Sequence, residues 1–282
     1  MKNKIGVITC SNAALDYLDY PKDISIFRSV IMFNENELYD DFVDIDAKHF
    51  YERIDQEKVV PKTSYVAIGK MIDIFEDYKA KGYDELLVVT ISSNLSGLYE
   101  AVKNASKQVD IKVTVFDSRT LAYAEAYMVL KAHEMAENGH SMDEIISELK
   151  RIRDNNKLFF AVETLLFLIK NGRLSKFAGA VANMLKIKPL LSINEEGRVV
   201  SIEKIRTFQK AVSSVLEMYY KATANKDVIT YISHAHNETV AKYCKEEIEK
   251  RFPDREVIVA YLTPVVGAHT GPRAIGIGFI EK

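Results

Sequence analysis

Leu86-Leu87-Val88-Val89-Thr90-Ile91-Ser92-Ser93-Asn94-Leu95-Ser96-Gly97 is the stretch on which the reading of this chain turns. Its first half is a short, near-continuous apolar run, the pattern of a strand covered on both faces. Its second half is dense in hydroxyls and opens the amphipathic stretch Leu98–Gln108, so the serines stand where a helix begins. The free N–H groups of a helix start, joined by small hydroxyls, converge on an anion. One serine is enough for an N-cap, and Ser92, Ser93 and Ser96 exceed that need. Open α/β sheets bind ligands at the carboxyl ends of their strands. The segment therefore predicts a parallel sheet with a pocket for a small acidic group at its edge.

Outward from it the same pattern recurs. Ile5–Cys10 and Val113–Phe116 read as strands, with helical stretches at Tyr65–Lys81, stopped by Gly82, and at Leu121–Asn138, stopped by Gly139. Ser141-Met142-Asp143-Glu144 is a capping box opening a further helix. Ile24–Phe33 is another strand candidate, and the acidic stretch Asn34–Asp46 reads as a loop or edge hairpin. This alternation predicts an N-terminal α/β domain, a parallel sheet with helices on both faces. After about Asn155 the texture changes to α+β: strands at Lys157–Val162, Val228–Ser233 and Val257–Leu262, and a hairpin turning at Asn194-Glu195-Glu196-Gly197. Short helices are expected at Leu165–Lys170 and Lys176–Lys186, and long ones at Phe208–Thr223 and Glu238–Arg251. The expected domains are 1–156 and 157–282, closely packed because no flexible linker separates them.

A chain of 282 residues exceeds the usual single core, which supports two domains. With 38 basic against 40 acidic residues there is no excess positive charge to attract nucleic acid or an anionic membrane. Cys10 and Cys244 stand alone, without a CxxC pair or a secretory leader, and no apolar run reaches membrane-spanning length. A cytoplasmic protein with at most transient membrane contact is expected. There is no GxxxxGK[ST] loop, no GxSxG elbow and no metal-ligand spacing. His234 and His236 lack acidic or cysteine partners nearby and read as an exposed pair.

The second hydroxyl- and glycine-rich stretch is Thr263-Pro264-Val265-Val266-Gly267-Ala268-His269-Thr270-Gly271-Pro272. It reads as a turn-rich loop in which His269 either helps bind the same anion, acts as a base, or holds a backbone carbonyl. Thr63 and Ser64 open a helical pattern and could be plain caps. Arg173 in Gly172-Arg173-Leu174-Ser175-Lys176 suits an anion, a partner protein or simple solvation. Asp117-Ser118 ends a strand and could orient a loop hydroxyl.

Taken together, the Ser92–Gly97 loop with Tyr99, Asp117-Ser118, Gly172–Lys176 and Thr263–Pro272 resemble the DegV family, in the right order over nearly the whole chain. That family includes bacterial fatty-acid-binding subunits that serve a separate fatty acid kinase. The resemblance implies one long-chain fatty acid held in a slot between the domains, no cofactor, and no catalytic centre in this chain. It implies that the carboxylate is held by Thr63, Ser93 and His269, assisted by the N–H of Asn94 and surrounded by Ser92, Ser96 and Thr270. It further implies a kinase catalytic subunit as partner, met through Arg206 in Ile205-Arg206-Thr207, with Arg173, from its own loop, as the second candidate contact. The family pattern is broken at Cys10, where an aspartate is usual, and at Arg273, where glycine is usual. From the residues alone, a serine hydrolase using Ser93 and His269, or a binding module for a small anionic metabolite, are the competing readings. The apolar candidates for the slot wall are Phe159, Phe160, Val162, Leu165, Leu166 and Ile169, then Ala178, Val181, Ala182, Leu185, Leu190 and the Val265-Val266 pair.

Overall fold

The computed structural model describes residues 3–174 and 187–282. The expected helix at Lys176–Lys186, with its small residues from Ala178 to Ala182, lies outside the described residues.

Four strands form the first sheet, in the order β2-β1-β6-β7: β1 (Ile5–Cys10), β2 (Ser25–Phe27), β6 (Glu85–Thr90) and β7 (Lys112–Asp117). All its pairings are parallel. Successive strand side chains alternate between faces. Leu86 and Val88 therefore join the helices Ile68–Ala80 and Leu98–Ser106, and Leu87 and Val89 join the cluster containing Tyr123–Glu137 and Met142–Asp154. Helices cover both faces, as the apolar strand runs require.

Beside this sheet sits a three-stranded antiparallel one, β4-β3-β5, built from β3 (Val30–Asn34), β4 (Glu37–Asp40) and β5 (Lys62–Ser64). Its hairpin is the acidic stretch after Asn34. Thr63 is thus a strand residue paired with Ile31 and not a helix cap. The helix after it starts only at Ile68.

The remaining strands form a six-stranded mixed sheet ordered β10-β9-β8-β13-β11-β12. They are β8 (Asn156–Ala161), β9 (Leu190–Ile193), β10 (Val199–Glu203), β11 (Val228–His234), β12 (Val257–Tyr261) and β13 (Ile275–Glu281). Only β11 and β12 run parallel. Every strand before Asn156 belongs to the first two sheets, and every strand from Asn156 onward to this one. The fold is an N-terminal parallel-sheet unit joined to a C-terminal mixed-sheet unit. One face of the mixed sheet packs Phe159, Ile277 and Phe279 against the helices Phe208–Thr223 and Glu238–Arg251. The opposite face carries Leu158, Phe160 and Tyr231 into the cluster shared with the N-terminal unit. Gly278 lies under the Tyr231 ring, where a Cβ would stand 2.1 Å from Cζ, and Tyr231 in turn meets Tyr123 at 5.2 Å between ring centres.

Candidate functional site

Between the two units runs a slot walled by Ile91, Leu95 and Leu121 on one side and by Leu158, Phe160 and Ile193 on the other. Its non-atom space, open mouth included, amounts to about 950 Å³. Strand alternation selects its wall: Phe160 and Leu158 face the slot, while neighbouring Phe159 packs into the opposite layer with Leu190. Val265 and Val266 line the slot as expected. Val162 and Leu165 are fully buried in the shared core without lining it.

On the slot wall, Thr63 Oγ1 and His269 Nε2 stand 2.8 Å apart. The segment bearing His269 is a two-turn helix, Pro264–Thr270, and not a loop. Thr263-Pro264 is its sequence signal, since proline suits the first helical position after a capping residue. Gly267 lets this helix lie against Tyr51: a Cβ there would be 2.4 Å from the tyrosine oxygen. Tyr51 donates to the Leu262 carbonyl at 3.0 Å, which fixes the helix start. Asn171 Nδ2 donates to the carbonyls of Ala268 (2.8 Å) and Pro61 (3.1 Å), the residues just before His269 and shortly before Thr63. Sequence reasoning missed Asn171, because a polar side chain in an Asn-Gly turn has an ordinary local explanation.

Burial, with a smaller contribution from Arg173, pushes the His269 imidazole down to about 3. At neutral pH the ring is uncharged, so one nitrogen donates and the other accepts. Its Nδ1 is buried and has no partner among the described residues. Arg173 also lines the slot; it donates through Nε to the Leu95 carbonyl at 2.9 Å, and burial lowers its pKa. It is therefore a wall residue and not a solvated loop arginine. Ser96 and Thr270 line the slot as well, the Thr270 hydroxyl donating back to the Val266 carbonyl at 3.3 Å.

The other serine-loop residues stand behind the wall. Ser92 is fully buried and donates to the Gly197 carbonyl at 2.8 Å, while its oxygen accepts from the N–H of Asn94 at 3.2 Å. Asn94 Nδ2 donates to the Glu196 carbonyl at 2.7 Å. Ser93 is exposed and donates its hydroxyl to Asp117 Oδ2 at 2.6 Å, with its N–H on Oδ1 at 3.1 Å. The structure thus brings Thr63, Ser96, Arg173, His269 and Thr270 to the slot. Ser92, Ser93 and Asn94 bind the loop to the 194–197 turn and to Asp117. His269 bonds Thr63 and Ser93 bonds Asp117, so the serine–histidine pair that a hydrolase needs is not assembled.

Of the departures from the family pattern, Tyr65 in Tyr65-Val66-Ala67, where Gln-Pro-Ser is usual, lines the slot, while Cys10 and Arg273 do not. Cys10 is buried and donates to Glu125 Oε1 at 3.1 Å, and Glu125 also accepts from Asn12 at 2.7 Å. Burial raises both the thiol and the carboxyl. Arg273 pairs with Asp55 at 3.0 Å on the surface. His234 is buried, not exposed, and accepts from the N–H of Asn237 at 3.2 Å. Arg206 is exposed at the entry to Phe208–Thr223. Among the described residues, Asp23, His133 and Glu137 are the group able to converge on a metal ion, and none of the three lines the slot. No described helix is long and apolar enough to cross a membrane.

A family profile described as "Uncharacterised protein, DegV family" matches residues 4–282. The Protein DegV of Bacillus subtilis is 33% identical over 287 residues, covering 99% of each chain. A crystal structure described as DegV, a fatty acid binding protein from Bacillus subtilis, superposes with a TM-score of 0.88 at 31% identity, covering 99% of this chain and 100% of that one. A stearic acid-binding protein from Eubacterium ventriosum superposes with a TM-score of 0.87 at 25% identity over 98% of each chain. A full-length profile match, a third of all positions identical and the same architecture from end to end leave one assignment: the chain belongs to the DegV family.

Proposed function

We propose that this chain binds one long-chain fatty acid in the slot and presents it to a separate ATP-dependent fatty acid kinase for conversion to an acyl phosphate. The observation that carries the reading is a largely apolar slot lined by an uncharged Thr63–His269 pair whose Nδ1 is without a partner among the described residues. With Thr63 donating to Nε2, the neutral ring carries its proton on Nδ1, which is then a donor for a carboxylate. Ser96 adds a hydroxyl, and the Arg173 guanidinium gives the acid end a positive field without a direct ion pair. The relatives described as fatty acid binding and stearic acid-binding proteins support the ligand class.

Each buried methylene contributes about 0.8 kcal/mol, so a dozen give roughly 10 kcal/mol before ordering losses. The tail thus supplies most of the affinity, and the acid end needs only satisfied hydrogen bonds. In this reading residues 1–156 provide Thr63 and the serine loop, and residues 157–282 provide His269 and the mixed-sheet floor. Ser92, Ser93 and Asn94 hold Ser96 in place from behind. The chain has no catalytic role of its own and works in the cytoplasm, Arg206 being the exposed cation offered to the kinase. Native mass spectrometry of freshly isolated protein tests the ligand: an added mass of one fatty acid, released on denaturation, is expected. Protein carrying only a small polar anion, and refusing added stearic acid, would overturn the reading in favour of a metabolite-binding module.

A further inference from the structure

We propose that the slot is built for an acyl chain bearing an oxygen substituent, a hydroxyl or oxo group, recognised by Ser233. The inference rests on the reading of the slot as an acyl site and adds which class of acid it prefers. One row of the mixed sheet reads Phe160, Gly276, Ser233 and Ala260 through the strand registers, so these residues share a face. Phe160, Gly276 and Ser233 all line the slot. Gly276 leaves the floor open between the phenyl ring and the hydroxyl; a Cβ there would stand 3.1 Å from Leu158 Cδ1. A chain crossing this row passes over the glycine with Ser233 at its side.

Ser233 is 2% exposed, and its Oγ has no hydrogen-bond partner among the described residues. Buried hydroxyls are almost always paired, because desolvating one without a partner is unfavourable. The slot lining is largely apolar, with Leu158, Phe160, Leu262 and Ile275 among it, and none of its polar side chains is bonded to Ser233 Oγ. A water held only by Ser233 would lack the two to four polar partners that retain buried water. An oxygen carried on the ligand needs no such retention, because burial of the surrounding methylenes holds it in place. A serine hydroxyl both donates and accepts, so an alcohol or a ketone suits it equally.

The test is a competition read by native mass spectrometry. Delipidated protein is offered equimolar stearic acid and each member of a positional series of monohydroxystearic acids. One position of the hydroxyl is expected to be favoured by about 3- to 10-fold over stearic acid, the worth of one buried hydrogen bond. In Ser233→Ala the preference is expected to be lost or reversed toward stearic acid, because the ligand's hydroxyl is then buried without a partner. Stearic acid bound by wild-type protein with no hydroxylated isomer preferred overturns this inference and leaves the acyl reading standing. A preference that survives in Ser233→Ala also overturns it. If neither stearic acid nor any isomer binds wild-type protein, the acyl reading itself fails and this inference falls with it.

Discussion

The Ser92–Gly97 loop and the Thr263–Thr270 helix have similar composition and follow strands in similar ways, yet they use their polar groups differently. The loop turns Ser92 and Asn94 to the carbonyls of Gly197 and Glu196, and Ser93 to Asp117, so only Ser96 is left at the slot. The helix aims His269 at Thr63 with one ring nitrogen open. Hydroxyls at a strand end do not by themselves mark the ligand. A polar group already bonded within the protein positions its neighbours, and one left open is available to bind.

The largest effect separating the two regions is expected with pH. Asp41 is fully buried close to the helix start, neither carboxyl oxygen has a hydrogen-bond partner of good geometry among the described residues, and burial pushes its pKa up to about 7. Ser11 and Arg28 only moderate that shift. A carboxyl raised on folding binds more protons in the native state between its unfolded and folded values. Its contribution is therefore full below about pH 4 and is lost as pH rises toward 7, by up to about 4 kcal/mol. His269 acts in the opposite sense: its depressed pKa withdraws stability as pH falls from about 6.5 toward 3. Urea midpoints of Asp41→Asn across pH 4.5 to 7.5 should lose the downward trend with rising pH. An unchanged slope would remove Asp41 from the account.

Next come the two glycines that permit close approach. Gly197 has φ of +78°, and a Cβ there would meet Ser92 Oγ at 2.1 Å; at Gly267 a Cβ would meet the Tyr51 ring and oxygen. Alanine at either is expected to destabilise by about 2–3 kcal/mol in chemical unfolding. The regions should then part company. Ser92→Ala should recover some of the Gly197→Ala loss, since it removes the clashing hydroxyl. Tyr51→Phe should recover little for Gly267→Ala, because ring carbons Cε1 and Cζ would still lie 2.6 and 2.7 Å away.

The binding series sharpens the comparison further. His269→Ala and Ser96→Ala are expected to weaken retention of stearic acid by roughly 10- to 100-fold, the range for hydrogen bonds to a charged group. Ser93→Ala should change it by less than about 3-fold, and should lower stability by only about 0.5 kcal/mol, because its bond to Asp117 is exposed. Displacement of a fluorescent acid measures all three. A larger loss in Ser93→Ala than in Ser96→Ala would reverse the assignment within the loop and show that loading turns Ser93 into the slot.

Much of the architecture was legible because it follows from local pattern. The runs at Ile5–Cys10 and Leu86–Ile91 are apolar at nearly every position, so both faces had to be covered, and they are. The capping box at Ser141 forms with both of its bonds. Thr63 resembles a helix start along the chain because its strand is only three residues long and depends on pairing with Val30–Met32. Pro264 carried the signal for the helix that bears His269, but the glycines around it suggested a turn.

Residue order alone was sufficient for the alternation of strands and helices, the family membership and the two polar segments, since periodicity and spacing are properties of neighbours along the chain. It could not tell Ser96 from Ser93, place Asn171 between two distant carbonyls, or separate Phe160 from Phe159 as slot wall. Those distinctions depend on which groups meet across long sequence separations, and so on packing. The same holds for charge: His269 is an ordinary histidine in the chain, and it stays neutral down to about pH 3 only when the folded protein excludes water from it.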